Sequence, residues 1–440
     1  MKRFVIGIGA FLLLLASCVS PSTSTPAPGE PAGRTLEGTE GELLTVDVAR
    51  AQIEGADLDA LVDGMTRFGV ELFDQVAEPG ANVVLSPTSI AMVFGMARAG
   101  AAGTTAQEID GVLHLPTDAR TTHVSFNALD RLLADAAPEE LRSPDPEAKR
   151  EPGEESPPAL EVANGVFPQV GFPILEPFLR TLGEQYGAGV VPVDFGTERA
   201  TQIINDWVTE RTRGRIDRLF DSLSPDTKLV LANAVYLKAD WATPFAKDPT
   251  EDLPFTLADG TEIVVPTMRQ LGTIRYAEDE GWQAVELPYA GGRLAMWVLV
   301  PTNGRGPGDV LTPDVLEAVG DALRERTVEL HLPRWDFDTD LPLIPVLRAL
   351  GMHAPFDAAA ADFSGISEDP LSIGDAIHRA TITVDEWGTE AAAVTGLAFA
   401  TSGPPPPDAV IHADHPFAFV ILDRRERVPL FLGQVADPVA

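Results

Sequence analysis

The sequence predicts a single mixed α+β domain behind an N-terminal leader and tether. Two observations carry this. Helical hydrophobic periods dominate the first part of the chain, and strand-like apolar runs dominate the second. Of the 440 residues, 45% are apolar, enough for a sizeable core, and no internal repeat breaks the chain into units.

The leader comes first. Lys2 and Arg3 precede the apolar run "FVIGIGAFLLLLA" (4–16), which is too short for an ordinary transmembrane helix and fits a signal-peptide core. It ends in "LASC", with Cys18 the single cysteine of the chain. One cysteine excludes an intrachain disulfide. The tetrad resembles the bacterial lipoprotein box, in which the thiol is acylated and the cysteine becomes the new N-terminus. This divides the chain into a leader (1–17), a flexible tether (18–54, rich in Pro, Ser, Thr and Gly through residue 45) and a globular part (55–440).

The globular part opens with "LDALVDGMTRFGVELF" (58–73), apolar at helical spacing. "LSPTSIAMVFGMARAG" (85–100) starts a buried helix, with Ser86 as its cap and Pro87 at the first helical position. Thr104 with Gln107, or Thr105 with Glu108, offers a capping box for the next helix. Residues 137–158 have many prolines and no apolar period, and read as a disordered acidic surface insertion. "TKLVLANAVYLKADW" (227–241) is almost wholly apolar, as a strand covered on both faces must be. "AVELPYAGGRLAMWVLVP" (284–301) is a hairpin turning at Gly291-Gly292. "FAFVIL" and "VPLFLGQV" form a last strand pair across a polar turn.

Charge excludes some functions. Sixty-six acids against 32 bases give a net charge of −34. Nucleic acid and anionic lipid surfaces need clustered Lys and Arg, so neither is an expected partner. There is no G-x-S-x-G nucleophile elbow. "HADH" (412–415) places two histidines close together, but no cysteine or carboxylate cluster accompanies them, so no metal site is expected. His378, alone near the start of a strand, reads as a hydrogen-bonded structural histidine.

One stretch fits none of these patterns. "DEWGTEAAAVTGLAFATSGPPPP" (385–407) begins acidic, runs on in small uncharged residues and stops at four prolines. Its side chains are too small for a good core strand and too uncharged for a solvated linker.

Six segments carry a family resemblance, in family order: "NVVLSPTSIAMVFGMARAGAAGTTAQEI" (82–109), "INDWVTERTRGRI" (204–216), "LVLANAVYLKADWATPF" (229–245), "ADFSGIS" (361–367), "AIHRATITVDEWGTEAAA" (376–393) and "ADHPFAFVILDRRERVPLFLGQVADP" (413–438). They resemble serpin segments. The resemblance runs from about residue 55 to the C-terminus and leaves out the first 50 residues and 137–158. It implies the serpin fold: helices around a large central mixed sheet and smaller sheets, with an exposed reactive-centre loop, here 386–407.

It also implies the function. A serpin is not an enzyme. It offers a bait bond to a serine protease and traps it as a covalent acyl-enzyme when the cut loop enters the central sheet. Entering as a strand, the loop would alternate faces. Thr389, Ala391, Ala393 and Thr395 would slide over the core, with Glu390, Ala392 and Val394 opposite. The implied hinge is Glu386, Gly388, Thr389, Glu390, Ala391, Ala392 and Ala393, free of proline and of charge beyond Gly388 except for Glu390. Trp387 departs from the family, where a polar residue is usual. The implied shutter under the parting strands is Ser86, Ser89, Asn233 and His378. The implied breach at the top is Trp241, Arg334 and Glu386.

Family spacing from Glu386 forward and from His415-Pro416-Phe417 back both reach Ser402. The bait bond is therefore expected at Ser402-Gly403, with Thr401-Ser402 as neighbour. Small residues there suit elastase-like or subtilisin-like proteases. The expected protein is a monomeric inhibitor outside the cytoplasm, without cofactor, held at the cell envelope by lipid on Cys18 or secreted. Two alternatives stay open at this point. One is a non-inhibitory serpin acting as a carrier. A more distant one is a serine hydrolase using Ser86 or Ser89 with His378.

Overall fold

The computed structural model describes residues 34–116, 118–136, 159–212, 214–246, 250–389 and 406–440. Thr35–Ala440 forms one compact unit. Its helices are α1 (Leu58–Val76), α2 (Pro87–Arg98), α3 (Gly103–Val112), α4 (Ala119–Ala136), α5 (Glu176–Thr181), α6 (Arg199–Arg211), α7 (Pro307–Val310), α8 (Pro313–Ala322) and α9 (Leu343–Ala349). Its strands are β1 (Thr35–Leu36), β2 (Val83–Leu85), β3 (Ala159–Pro168), β4 (Ile174–Leu175), β5 (Leu229–Asp240), β6 (Glu251–Thr256), β7 (Glu262–Asp279), β8 (Trp282–Pro288), β9 (Leu294–Pro301), β10 (Arg324–Pro333), β11 (Trp335–Pro342), β12 (Asp375–Val384), β13 (Gly388–Thr389), β14 (Ala409–His412), β15 (Phe417–Asp423) and β16 (Pro429–Val435).

Three sheets result. A nine-stranded sheet runs β14-β10-β7-β8-β9-β15-β16-β2, with β6 beside β7. A five-stranded sheet runs β11-β12-β13-β5-β3, and β12 also pairs directly with β5. β1 and β4 make a two-stranded ribbon. The mixed α+β architecture matches the fold expected from the sequence.

Strand β5 is an interior strand of the five-stranded sheet, between β3 on one side and β12 and β13 on the other, and its composition explains why. Leu229, Leu231, Val235 and Leu237 enter the main core, while Val230, Ala232 and Ala234 pack into a second cluster with Ile204 and Val208 of α6. With apolar partners on both faces, the run needs no alternation with polar residues. Trp207 of α6 meets Phe167 of β3 edge to face at 5.3 Å, which fixes the helix over the sheet.

Helix α2 starts as expected. Ser86 Oγ accepts from Ser89 N at 3.3 Å, and Pro87 takes the first helical position. The 284–301 hairpin turns at Gly291 and Gly292 with φ of 81° and 68°, a region that favours glycine. β15 and β16 pair antiparallel.

Two expectations need correction. The capping box of α3 does not form, because Ala102 is the cap and provides no side-chain acceptor. Thr105 instead accepts from Asp362 N at 2.8 Å, and Glu108 accepts from His353 N at 2.7 Å and Ala354 N at 2.5 Å. Tertiary neighbours have claimed the groups that a local motif would use.

The second correction concerns the tether. Its later part, residues 35–54, lies along the body. β1 pairs with β4, and Leu44 exchanges backbone hydrogen bonds with Val190 at 2.8 and 3.0 Å. Arg50 donates to Asn127 Oδ1 at 2.8 Å and to Gln185 O at 3.1 Å, and pairs with Asp130 at 2.8 Å. Ala51 O accepts from Arg131 at 2.6 Å. Backbone bonds, Arg50 and a few scattered apolar side chains (Leu36, Leu44 and Val46, packed on the core) make no regular hydrophobic period, so composition alone could not register this strap. Cys18 and the 137–158 insertion lie outside the described residues.

Candidate functional site

The site is the slot between β12 and β5. The two strands run parallel and pair directly from Asp375↔Val230 to Thr381↔Tyr236. Above that register Gly388 and Thr389 occupy the space between them. Thr389 pairs with Val384 on one side and Ala239 on the other, and Gly388 pairs with Asp240, antiparallel to both neighbours. Only glycine fits at 388, since a Cβ there would stand 2.1 Å from Ala239 O.

This corrects one expectation. Glu386, Gly388 and Thr389 were expected at the start of an exposed loop, but all three are buried. The loop's first residues already sit in the sheet because the parted strands leave unpaired backbone groups there, and burying those without partners is costly. Thr389 does point into the core, the face that alternation assigns it. Its hydroxyl lies 2.7 Å from the hydroxyl of Tyr289, a residue that sequence reasoning missed. The Tyr289 ring stacks on Trp241 with centroids 4.6 Å apart. Burial pushes the Tyr289 phenol above its ordinary range, so it stays protonated and able to donate.

A tight turn, Asp385 to Gly388, carries the chain from β12 back into the slot. Asp385 N donates to Gly388 O at 3.0 Å, and Asp385 Oδ1 accepts from Trp387 N at 2.8 Å and Gly388 N at 3.2 Å. Burial raises the Asp385 carboxyl above its ordinary range, against the opposing pull of these backbone donors.

The breach residues meet around this turn. Trp241 Nε1 donates to Asp385 O at 3.0 Å and Trp241 N to Trp387 O at 2.7 Å. Glu386 is buried, 3.5 Å from Arg334 and accepting from Thr250 Oγ1 at 2.7 Å. Phe245 N donates to Glu386 O at 2.8 Å. The half-buried Trp387 side chain leaves its own carbonyl free to accept from Trp241, so the turn closes around it.

The shutter residues also come together, lower in the same sheet. His378 and Asn233 are register partners across β12 and β5, and Asn164 of β3 is the partner of Asn233 on its other side. Ser86 N donates to His378 Nε2 at 3.1 Å, so that nitrogen is the acceptor and Nδ1 carries the proton to Asn233 Oδ1. Asn233 Nδ2 then donates to Ser89 Oγ at 2.6 Å and to Asn164 Oδ1 at 2.5 Å. Burial takes the His378 imidazole down to about 3, so it is neutral in this chain of bonds. Asn164 is the member that sequence reasoning missed. Its only signal was an amide inside the apolar run 159–168.

This geometry disposes of the hydrolase alternative. Ser86 and Ser89 are 2% and 1% exposed and His378 is wholly buried, so no substrate reaches them. The imidazole accepts from a backbone N–H, not from a serine hydroxyl. His412 stacks on His331, and His415 contacts Asp414 Oδ1 and Pro301 O, each at 2.8 Å.

Of the expected hinge and bait residues, Glu390, Ala391, Ala392, Ala393, Thr401, Ser402 and Gly403 lie outside the described residues.

Most of the chain is similar to known proteins. A family model described as "Serpin (serine protease inhibitor)" matches residues 63–438. An uncharacterized serpin-like protein of Thermococcus kodakarensis is 34% identical over 100% of this chain and 99% of its own. The leukocyte elastase inhibitor of Xenopus tropicalis is 31% identical over 87% of this chain and 100% of its own. Among solved structures, the native state of the thermophilic serpin tengpin shares the fold with a TM-score of 0.78 at 22% identity, over 92% of this chain and 100% of that one.

Proposed function

Because the chain belongs to the serpin family, a family of protease inhibitors and not of enzymes, we propose that it is a suicide-substrate inhibitor of elastase-like or subtilisin-like serine proteases. The observation that carries this reading is the seat of Thr389 between β12 and β5. With Gly388 before it, this hinge residue occupies a slot that the rest of the loop would extend.

The chemistry follows from a bait bond at Ser402-Gly403. The protease serine oxygen attacks the Ser402 carbonyl carbon. The bond to the Gly403 nitrogen breaks, that nitrogen leaves as an amine with a proton from the protease, and an ester joins the two proteins. The freed segment then enters between β12 and β5 as a strand. About a dozen residues add a similar number of ladder hydrogen bonds, each worth roughly 1 kcal/mol net. A sum on the order of 10 kcal/mol rivals the stability of a whole domain, so the uncut form is metastable and held by a barrier. About 15 residues of strand span roughly 50 Å, enough to drag the acylated protease away from its starting place.

Acylation of Cys18 would hold the inhibitor at the cell envelope, since a lipid and not a spanning helix serves as the anchor. Loss of detergent-phase partitioning in Cys18→Ala tests this, and partitioning that survives the substitution refutes it.

Mixing the full chain with an elastase tests the inhibitory reading. A complex that survives SDS, with a released C-terminal peptide beginning at Gly403 or Ser402, supports it. A cleaved band without complex points instead to a carrier. A peptide beginning before Ala398 or beyond Pro407 rejects the register.

A further inference from the structure

Strand β14 follows the reactive loop and, among the described strands, pairs only with β10, at the edge of the nine-stranded sheet. The pairing is short, four register pairs from Val328↔Ala409 to His331↔His412, and it is parallel. Asp408 N to Thr327 O (2.7 Å) and Ala413 N to His331 O (3.0 Å) close its ends. Ile411 is buried beneath it, but Val410 and His412 face solvent. A grip this short depends on its side chains.

The pairing ends on two imidazoles. His331 and His412 stack with centroids 4.4 Å apart and planes 24° from parallel. His331 Nε2 lies 3.0 Å from Glu329 Oε1, the same oxygen that Arg269 of β7 approaches to 2.7 Å. An ionised carboxylate only accepts, so Nε2 carries the proton and His331 Nδ1 is bare in the neutral ring. That Nδ1 is buried with no hydrogen-bond partner.

Among the described residues, Glu329 of β10 contacts His331, and Arg269 of β7 contacts that same carboxylate. Asp408 is occupied by Thr327 N at 2.9 Å, and Asp414 by His415 at 2.8 Å. One proton added to His331 would bring an N–H to a buried position without an acceptor, beside a carboxylate that already holds Arg269. A second proton, on His412, would set two cations face to face with one carboxylate for three positive groups. Like charges about 4 Å apart repel by roughly 1 kcal/mol even at the dielectric of water, and more when half-buried.

We propose that His331 and His412 form a proton-sensitive latch that fastens β14, and with it the far end of the reactive loop, to β10. With neutral rings the stack closes the strand pair. With both rings charged the stack opposes it, and β14 leaves the sheet edge.

Hydrogen exchange of the full chain between pH 7.5 and 5.5, corrected for the intrinsic pH dependence of exchange, tests this. Peptides covering 409–412 are followed, with 417–423 of β15 as internal reference. Acidification should lower protection of 409–412 roughly tenfold relative to the reference, the population change expected from little more than the repulsion above. His412→Gln keeps a polar side chain without the charge, and His412→Phe keeps a stacking ring without it. Both should remove the acid response. If β14 keeps its protection at pH 5.5, or if both variants respond to acid as the natural chain does, the latch is wrong. Should His412→Gln already loosen β14 at pH 7.5, His412→Phe decides the question. The readout needs no protease, so it is independent of the inhibitory reading.

Discussion

The hydroxyls of Tyr289 and Thr389 meet at 2.7 Å inside the slot between β12 and β5. Thr389 is 1% exposed and Tyr289 wholly buried, so neither hydroxyl has water as an alternative. This bond links the inserted Thr389 to the stacked pair Tyr289 and Trp241.

Tyr289→Phe should therefore loosen the hinge while leaving the stack. The Thr389 hydroxyl would be buried without a partner, a cost of about 1–3 kcal/mol. Backbone amides of 385–389 should exchange faster, with little change elsewhere in β12. Unchanged exchange at the hinge would show that backbone pairing alone seats Thr389.

Thr389→Arg should convert an inhibitor into a substrate. Its side chain would carry a charge into the position that Thr389 fills, beside Tyr289 and without an acid in the hydrogen bond it replaces. The measurement is inhibitor consumed per protease trapped, which should rise severalfold. An unchanged ratio would contradict insertion as the trapping step.

Asn164→Leu should destabilise the shutter. It removes the acceptor for Asn233 Nδ2 and Ser89 Oγ, in a buried network where each orphaned group costs about 1–3 kcal/mol. Melting temperature should fall and spontaneous loss of inhibition should quicken. If neither changes, the Ser89–Asn233 bond alone suffices there.

The shutter also predicts a pH dependence. His378 sits at about 3 when folded and near 6.5 when unfolded, so below pH 6.5 the unfolded chain binds a proton that the folded one refuses. Its stabilising contribution is complete above about pH 6.5 and is lost as pH falls toward 3, by about 1.4 kcal/mol per pH unit within that window. His123, taken down to about 4 chiefly by burial and then by Arg98, acts with the same sign. The difference in unfolding free energy between the natural chain and His378→Gln should shrink on acidification from pH 6.5 to 4.5. A difference independent of pH would mean that His378 is not buried neutral.

Much of the site was legible in the residues. The motifs that hold Ser86, Ser89, Asn233 and His378 group these four residues, and they form one hydrogen-bonded chain. Trp241, Arg334 and Glu386 likewise meet at one turn. Asn164 and Tyr289 were not legible. Each belongs to the site only through partners far along the chain, Asn233 for Asn164 and Trp241 and Thr389 for Tyr289, and neither stands in a motif.

The sequence by itself determined the α+β class, the strand buried on both faces, the hairpin at Gly291-Gly292 and the family. These rest on hydrophobic period, on turn residues and on local motifs, all written within a few neighbouring positions. The tertiary structure alone decided that residues 35–54 lie strapped along the body, that Thr105 and Glu108 serve distant backbone groups, and that Thr389 is already seated in the sheet. Each of these is settled by competition for hydrogen-bonding groups between segments far apart in the chain, and such competition has no period for a single sequence to display.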